Sequence, residues 1–182
     1  MGRAWKFGDN ISTDLISAGR YYHLRSNLPE LAKHTLEDAR AEFAPNAKPG
    51  DVVVGGRNFG KGSSREHAPI VIKMCGTQAV LAKSFARILY RNCINNGLPA
   101  IVVDTDRIDE GDDVEVDLAK GVVRDLTKGI ELAFPPLPPA MEAIMREGGL
   151  VEYIRKHGDL VVTGEPLEAS PHSPTAPQNS RA

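Results

Sequence analysis

Apolar and polar positions change rhythm twice along the chain. Residues 51–54 (Asp-Val-Val-Val), 78–82 (Gln-Ala-Val-Leu-Ala) and 100–103 (Ala-Ile-Val-Val) are short apolar runs without alternation, the pattern of strands buried on both faces. Between them lie two segments with helical spacing. The first covers residues 65–75 and is closed by Gly76; the second is opened by Ser84 as a cap, carries Phe85, Ile88, Leu89 and Cys93 as an apolar stripe, and stops at Asn95-Asn96-Gly97. The order β-α-β-α-β predicts parallel strands with right-handed crossovers. From residue 114 the pattern shortens and alternates: 114–118, 122–126 and 130–132 read as strands joined by Lys120-Gly121 and Lys128-Gly129 turns. The sheet is therefore expected to be mixed.

Upstream, residues 4–7 read as an opening strand and 8–14 as a polar turn. Leu28, Leu31, Leu36, Ala39 and Phe43 suggest a loosely helical segment over residues 27–44. Downstream, residues 139–157 read as a last helix, broken or bent at Gly148-Gly149, with Met141, Ile144, Met145 and Ile154 as buried positions. Prolines and few apolar residues from Gly164 onward predict a disordered tail over 164–182, leaving a single domain over 1–163.

Composition narrows the function classes. With 22 basic against 24 acidic residues, the net charge of −2 provides no footprint for nucleic acid or an acidic membrane surface, so an anion must be held by local geometry. The two cysteines, Cys75 and Cys93, match no metal-ligand spacing, and the chain is not expected to hold an iron–sulfur cluster or structural zinc of its own. No export signal or membrane-spanning run is visible, and a cytoplasmic setting is expected.

The chemistry concentrates in residues 55–69, Gly-Gly-Arg-Asn-Phe-Gly-Lys-Gly-Ser-Ser-Arg-Glu-His-Ala-Pro, between a predicted strand and a predicted helix. Ser63-Ser64-Arg65-Glu66 alone fits a capping box, with Ser63 and Glu66 satisfying first-turn amides. Residues 55–61 also fit the glycine and lysine spacing of a phosphate loop, with Asp104 as a magnesium ligand after an apolar strand. Gly62 argues against that second reading, because it stands where a phosphate loop needs a hydroxyl for magnesium.

A third reading rests on longer motifs. Asn58-Phe59-Gly60-Lys61-Gly62-Ser63-Ser64-Arg65-Glu66-His67-Ala68-Pro69 resembles the signature of 3-isopropylmalate dehydratase small subunits, equivalent to the swivelling C-terminal domain of aconitase-type hydro-lyases. Asp9-Asn10-Ile11-Ser12-Thr13-Asp14 resembles the family's early loop, and Lys83-Ser84-Phe85-Ala86-Arg87-Ile88 with residues 91–99 resembles its later helix. One departure is Lys61, where that signature commonly carries Cys.

The resemblance implies an α/β swivelling β/β/α domain with a mixed, partly parallel sheet flanked by helices. It implies reversible removal and addition of water on a 2-hydroxy di- or tricarboxylate, most often in leucine biosynthesis. Homoaconitase-like and dimethylmalate dehydratase small subunits are the alternatives within the family. On these motifs Ser63 is the base, Arg65 and Asp14 complete the catalytic set, and Ser64 and Gly62 bind substrate. Arg25, in Tyr21-Tyr22-His23-Leu24-Arg25-Ser26, is implied to read the part of the substrate that varies, unless it pairs with Glu30. His67 is left outside the catalytic set. Lys83, Arg87 and Arg91 form a basic face, solvated or available to a partner. The resemblance also implies a large partner subunit carrying a [4Fe-4S] cluster, without which the chain is inactive.

Overall fold

The computed structural model describes residues 1–158; the 1–163 boundary and the tail expected over 164–182 fall outside the described residues. Seven strands form one sheet: β1 (Gly2–Lys6), β2 (Val52–Val54), β3 (Ala79–Ala82), β4 (Ala100–Val102), β5 (Asp113–Asp117), β6 (Val122–Asp125) and β7 (Ile130–Ala133), in the order β4-β3-β2-β1-β5-β6-β7. Strands β1 to β4 run parallel, with Val53 opposite both Trp5 and Val80. From β1 to β7 the neighbours are antiparallel, so the sheet is mixed as the change of rhythm at residue 114 predicts.

Two-residue periodicity divides the buried side chains of the parallel half between two cores. Trp5, Val53 and Val80 point to the layer built by Leu31, Leu36, Phe43, Val71, Ile72 and Leu89. Ala4, Val52, Val54 and Leu81 point the other way, onto Ile108, Val114, Val123 and Leu132. The antiparallel half thus curls over the second face, which is why the parallel strands read as unbroken apolar runs.

Helices α1 (Thr13–Ile16), α2 (Leu28–Ala32), α3 (Phe43–Asn46), α4 (His67–Met74), α5 (Arg87–Asn95), α6 (Pro139–Arg146) and α7 (Leu150–His157) complete the fold. Several differ from the expected elements. Residues 27–44 are not one helix: α2 ends after Ala32, and Leu36 takes a left-handed φ of 57° so that its fully buried side chain enters the core while its amide donates to Ile16 O. The gain from burying Leu36 outweighs its backbone cost of ~1–2 kcal/mol. Ser84 does not cap α5, which starts at Arg87 with no side-chain cap. The buried face of α5 is Leu89, Cys93 and Ile94, whereas Ile88 is half exposed and Phe85 only partly covered. Gly148-Gly149 separates α6 from α7, and Tyr153 rather than Ile154 is the buried residue of α7.

Asp51 ties the start of β2 to β1. Its carboxylate accepts from Trp5 Nε1 (2.8 Å), Arg3 N (2.9 Å) and Lys48 N (2.9 Å) while almost completely buried. Asp51→Ala leaves those donors without a partner and should lower unfolding stability by about 2 kcal/mol. Chemical denaturation of the chain checks this, and a midpoint equal to wild type would contradict it.

Candidate active site

The site lies beyond the carboxyl ends of the parallel strands, the usual place for ligands in open α/β sheets. Three loops are knitted side by side there. The loop after β2 lies in the middle, flanked by the loop after β1 and the loop after β3. Gly60 N donates to Ile11 O and Thr13 N to Lys61 O on one side. Phe59 N donates to Ser84 O, Ala86 N to Phe59 O, and Asn58 N to Ser84 Oγ (2.9 Å) on the other. Ser84, expected as a helix cap, is instead a clamp on the central loop.

This knitting removes the phosphate-loop reading. The amides of Arg57, Asn58, Phe59, Gly60 and Lys61 donate to Asp9 Oδ1, Ser84 Oγ, Ser84 O, Ile11 O and Asn58 O, so they form no anion cradle. Asp104 accepts from Asp106 N at the start of the 3-10 turn Thr105–Arg107. The capping box is also absent: α4 begins at His67, two residues later than expected, with no side-chain cap. The side chains of Ser63 and Ser64, and their amides, make no hydrogen bond among the described residues. Both serines are exposed, just before the positive end of α4.

Ser63, Ser64, Arg65, Glu66 and His67 line a cleft of about 570 Å³, closed on the far side by Gly19 and Tyr22. Arg65 is bound on two sides, through Nη1 to Ser17 O (2.5 Å) and through Nη2 to Asp14 Oδ1 (2.5 Å). A guanidinium has five N–H donors, so these bonds orient Arg65 and leave others for a carboxylate. Asp14 and Arg65, 51 positions apart by their numbers, are thus brought together as one ion pair.

The 3-10 turn Gly19–Leu24 carries the far wall. It is held by Tyr21, whose ring stacks on His34 (3.8 Å between centroids) and whose hydroxyl donates to Glu37 Oε1, and by Arg20 on Asp38 and Glu37. His34 and the Tyr21 hydroxyl hold the Glu37 carboxyl below its ordinary range despite some burial. Arg25 does not pair with Glu30, which bonds Lys33. Its guanidinium lies over the Tyr22 ring, 4.4 Å from the centroid. Arg25 and Gly62 are not among the residues that line the cleft.

His67, left aside in the sequence, lines the cleft with its ring 6.2 Å from that of Tyr22. Burial lowers its pKa first, and the positive charges of Arg65 and Arg25 lower it further, against an opposing pull from Glu66. Near pH 7 the imidazole is neutral, with one donor and one acceptor nitrogen. Adjacency to Ser63-Ser64-Arg65 was the available sequence signal. Lys83 pairs with Asp106 and leaves the basic face, while Arg87 and Arg91 remain exposed on α5.

Residues 10–106 match the Aconitase C-terminal domain family. The chain belongs to that family. It is 62% identical over 162 residues to 3-isopropylmalate dehydratase small subunit 2 of Archaeoglobus fulgidus, covering 89% of this chain and 98% of the relative. It is 56% identical to 3-isopropylmalate dehydratase small subunit 1 of Thermotoga maritima, covering 86% and 95%. Its fold matches the crystal structure of 3-isopropylmalate dehydratase (leuD) from Methanocaldococcus jannaschii with a TM-score of 0.82 and 47% identity, covering 86% of this chain and 93% of that one. The family match covers the loops after β2 and β3, the loop after β1 from Asn10 onward, and the Asp14–Arg65 pair.

Within this aconitase-type domain, no three His, Cys, Asp or Glu side chains among the described residues converge on a metal site. The thiols fit a cluster poorly. Burial pushes Cys93 up to about 12 and raises Cys75, and a thiolate is the ligating form. No helix among the described residues is long and apolar enough to cross a membrane.

Proposed function

We propose that this chain is the small subunit of 3-isopropylmalate dehydratase, a hydro-lyase of leucine biosynthesis, and that it works in the cytoplasm with a large subunit carrying a [4Fe-4S] cluster. The observation that carries the reading is the cleft itself: two unpartnered serines at a helix start, beside an arginine oriented by Asp14, in a chain 62% identical to a relative of that name. The cluster supplies the Lewis acid for the leaving hydroxyl. The part of this chain is to take the carbon-bound proton and to anchor a substrate carboxylate.

Ser63 takes the proton from the substrate carbon next to the one bearing the hydroxyl. A serine hydroxyl is a weak base unless its alkoxide is stabilised, and the unpartnered Ser64 amide, the α4 terminus and Arg65 provide that stabilisation. Arg65 holds a substrate carboxylate with the donors not used by Ser17 and Asp14. The hydroxyl departs as water on taking a proton from an acid that this reading assigns to the large subunit, leaving a double bond. In the return step water adds its hydroxyl to the carbon that lost the proton and gives its other proton back to that acid, while Ser63 returns its proton to the carbon that bore the hydroxyl. Ser64 supplies a hydroxyl to the substrate, and Gly62 lets the loop approach it. Mixing the chain with its large subunit should create isopropylmalate dehydration that neither protein shows alone, and an inactive mixture in the presence of an intact cluster would defeat the reading.

A homoaconitase-like substrate range is the second reading, favoured by the Arg25 guanidinium lying over the ring of Tyr22, a residue of the far wall. If Arg25 reads a distal carboxylate, Arg25→Val lowers kcat/KM for a tricarboxylate by about ten- to a hundredfold and leaves isopropylmalate within a few-fold. Equal loss on both substrates would remove Arg25 from specificity.

A further inference from the structure

Three buried side-chain atoms lack a hydrogen-bond partner among the described residues: Thr13 Oγ1, Thr77 Oγ1 and Asp125 Oδ2. Native structures rarely leave such groups unpaired, because an unpartnered buried hydroxyl forfeits its bonds to water. Of these residues, Thr13 is the one beneath the cleft loop. Its amide donates to Lys61 O (2.9 Å), the next residue, Asp14, pairs with Arg65, and its side chain is 1% exposed. Gly62 is pressed against it: a methyl group on Gly62 would come within 2.8 Å of Thr13 Oγ1. The residue following Gly62 is Ser63, whose amide has no partner.

We propose that Thr13 is a positioning residue for Ser63: when substrate and the large subunit close the cleft, the Ser63 N–H donates to Thr13 Oγ1, and this bond fixes the Gly62–Ser63 peptide so that the Ser63 hydroxyl faces the reacting carbon. The inference rests on the reading of Ser63 as base. In the free chain no bond joins the two groups, and the contact the structure shows is that of Gly62 with Thr13 Oγ1; the bond from Ser63 belongs to the assembled enzyme in this proposal. Gly62, at φ 129°, gives the peptide the freedom to turn, and its missing side chain leaves room for the hydroxyl to be reached. The arrangement accounts for a buried hydroxyl retained without a partner, since valine would fill the same space with no unpaired polar atom.

The test compares Thr13→Val and Thr13→Ser in the enzyme reconstituted with its large subunit, assayed on isopropylmalate, with melting of the isolated chain in parallel. Thr13→Val should melt no lower than wild type, because it removes only an unpaired hydroxyl. Its kcat should nevertheless fall by about tenfold or more with KM within a few-fold, the pattern of an interaction made in the transition state. Thr13→Ser keeps the hydroxyl and should recover kcat to within about threefold of wild type. A Thr13→Val kcat within twofold of wild type overturns the proposal, as does a Thr13→Ser variant as slow as Thr13→Val. Ser63→Ala separates the two readings. An inactive Ser63→Ala beside a normal Thr13→Val defeats the positioning role alone, whereas an active Ser63→Ala beside a slow Thr13→Val defeats the base assignment and leaves the peptide contact standing.

Discussion

Ser63→Ala in the reconstituted enzyme should lower kcat by on the order of 10³-fold, about 4 kcal/mol of transition-state stabilisation, while the isolated chain melts at the wild-type temperature. Both halves follow from the same geometry. The Ser63 side chain is exposed and bonds to nothing among the described residues, so its removal costs the fold nothing. It stands in the cleft beside the oriented Arg65 and ahead of α4, so its removal should delete the proposed proton acceptor and leave the proposed anchors in place. KM should move little, because Arg65 and Ser64 remain. Turnover within a few-fold of wild type would mean that another group takes the proton, and neutral His67, on the same wall, would be the first to examine.

Gly60→Ala should be the most damaging change to the fold of the site. Gly60 has φ 82°, and an added methyl group would stand 2.0 Å from Leu89 Cδ2 and 2.5 Å from Leu89 Cβ. Leu89 is buried on α5 and cannot swing away, so either the central loop lifts or α5 shifts. Left-handed strain of ~1–2 kcal/mol adds to overpacking of ~1–3 kcal/mol, for a loss of roughly 3 kcal/mol. In a domain of this size that lowers the melting temperature by roughly 10 °C. Gly129→Ala is the matched control, since Gly129 has φ 66° with open space around it and reports the backbone strain alone. Circular-dichroism melts in which the two variants coincide would show that the Leu89 contact is not a constraint. Lifting the central loop would also pull Asn58 and Phe59 from Ser84, so activity should fall together with stability.

Chain order and local period were enough to read the frame of this protein. Continuous apolar runs at β2, β3 and β4, with helical segments between them, specify buried parallel strands, and alternation after residue 114 specifies the antiparallel extension. The Ser63-Ser64-Arg65 group was legible for the same reason, because its chemistry sits within a few consecutive residues. Asp14 entered the implied catalytic set only through resemblance, and its pairing with Arg65 is visible only in the fold, since no local pattern joins positions so far apart.

Where local rules failed, a distant residue had taken over the group they relied on. Ser84 reads as a helix cap, but the amide of Asn58 reaches its hydroxyl first, and α5 then starts at Arg87 without one. Leu36 continues a helical stripe on paper, yet the core around Ile16 and Phe43 draws it in through a left-handed turn. The sequence alone determined the β-α-β-α-β frame and the change to alternating strands after residue 114, because strand and helix periods are properties of neighbouring residues. The tertiary structure alone decided that three loops lie side by side, that Tyr22 and His67 share a cleft, and that Thr13 is buried beneath Gly62 with its hydroxyl unpaired. Those outcomes depend on hydrogen bonds and packing between residues tens of positions apart, where burial energy outweighs local preference.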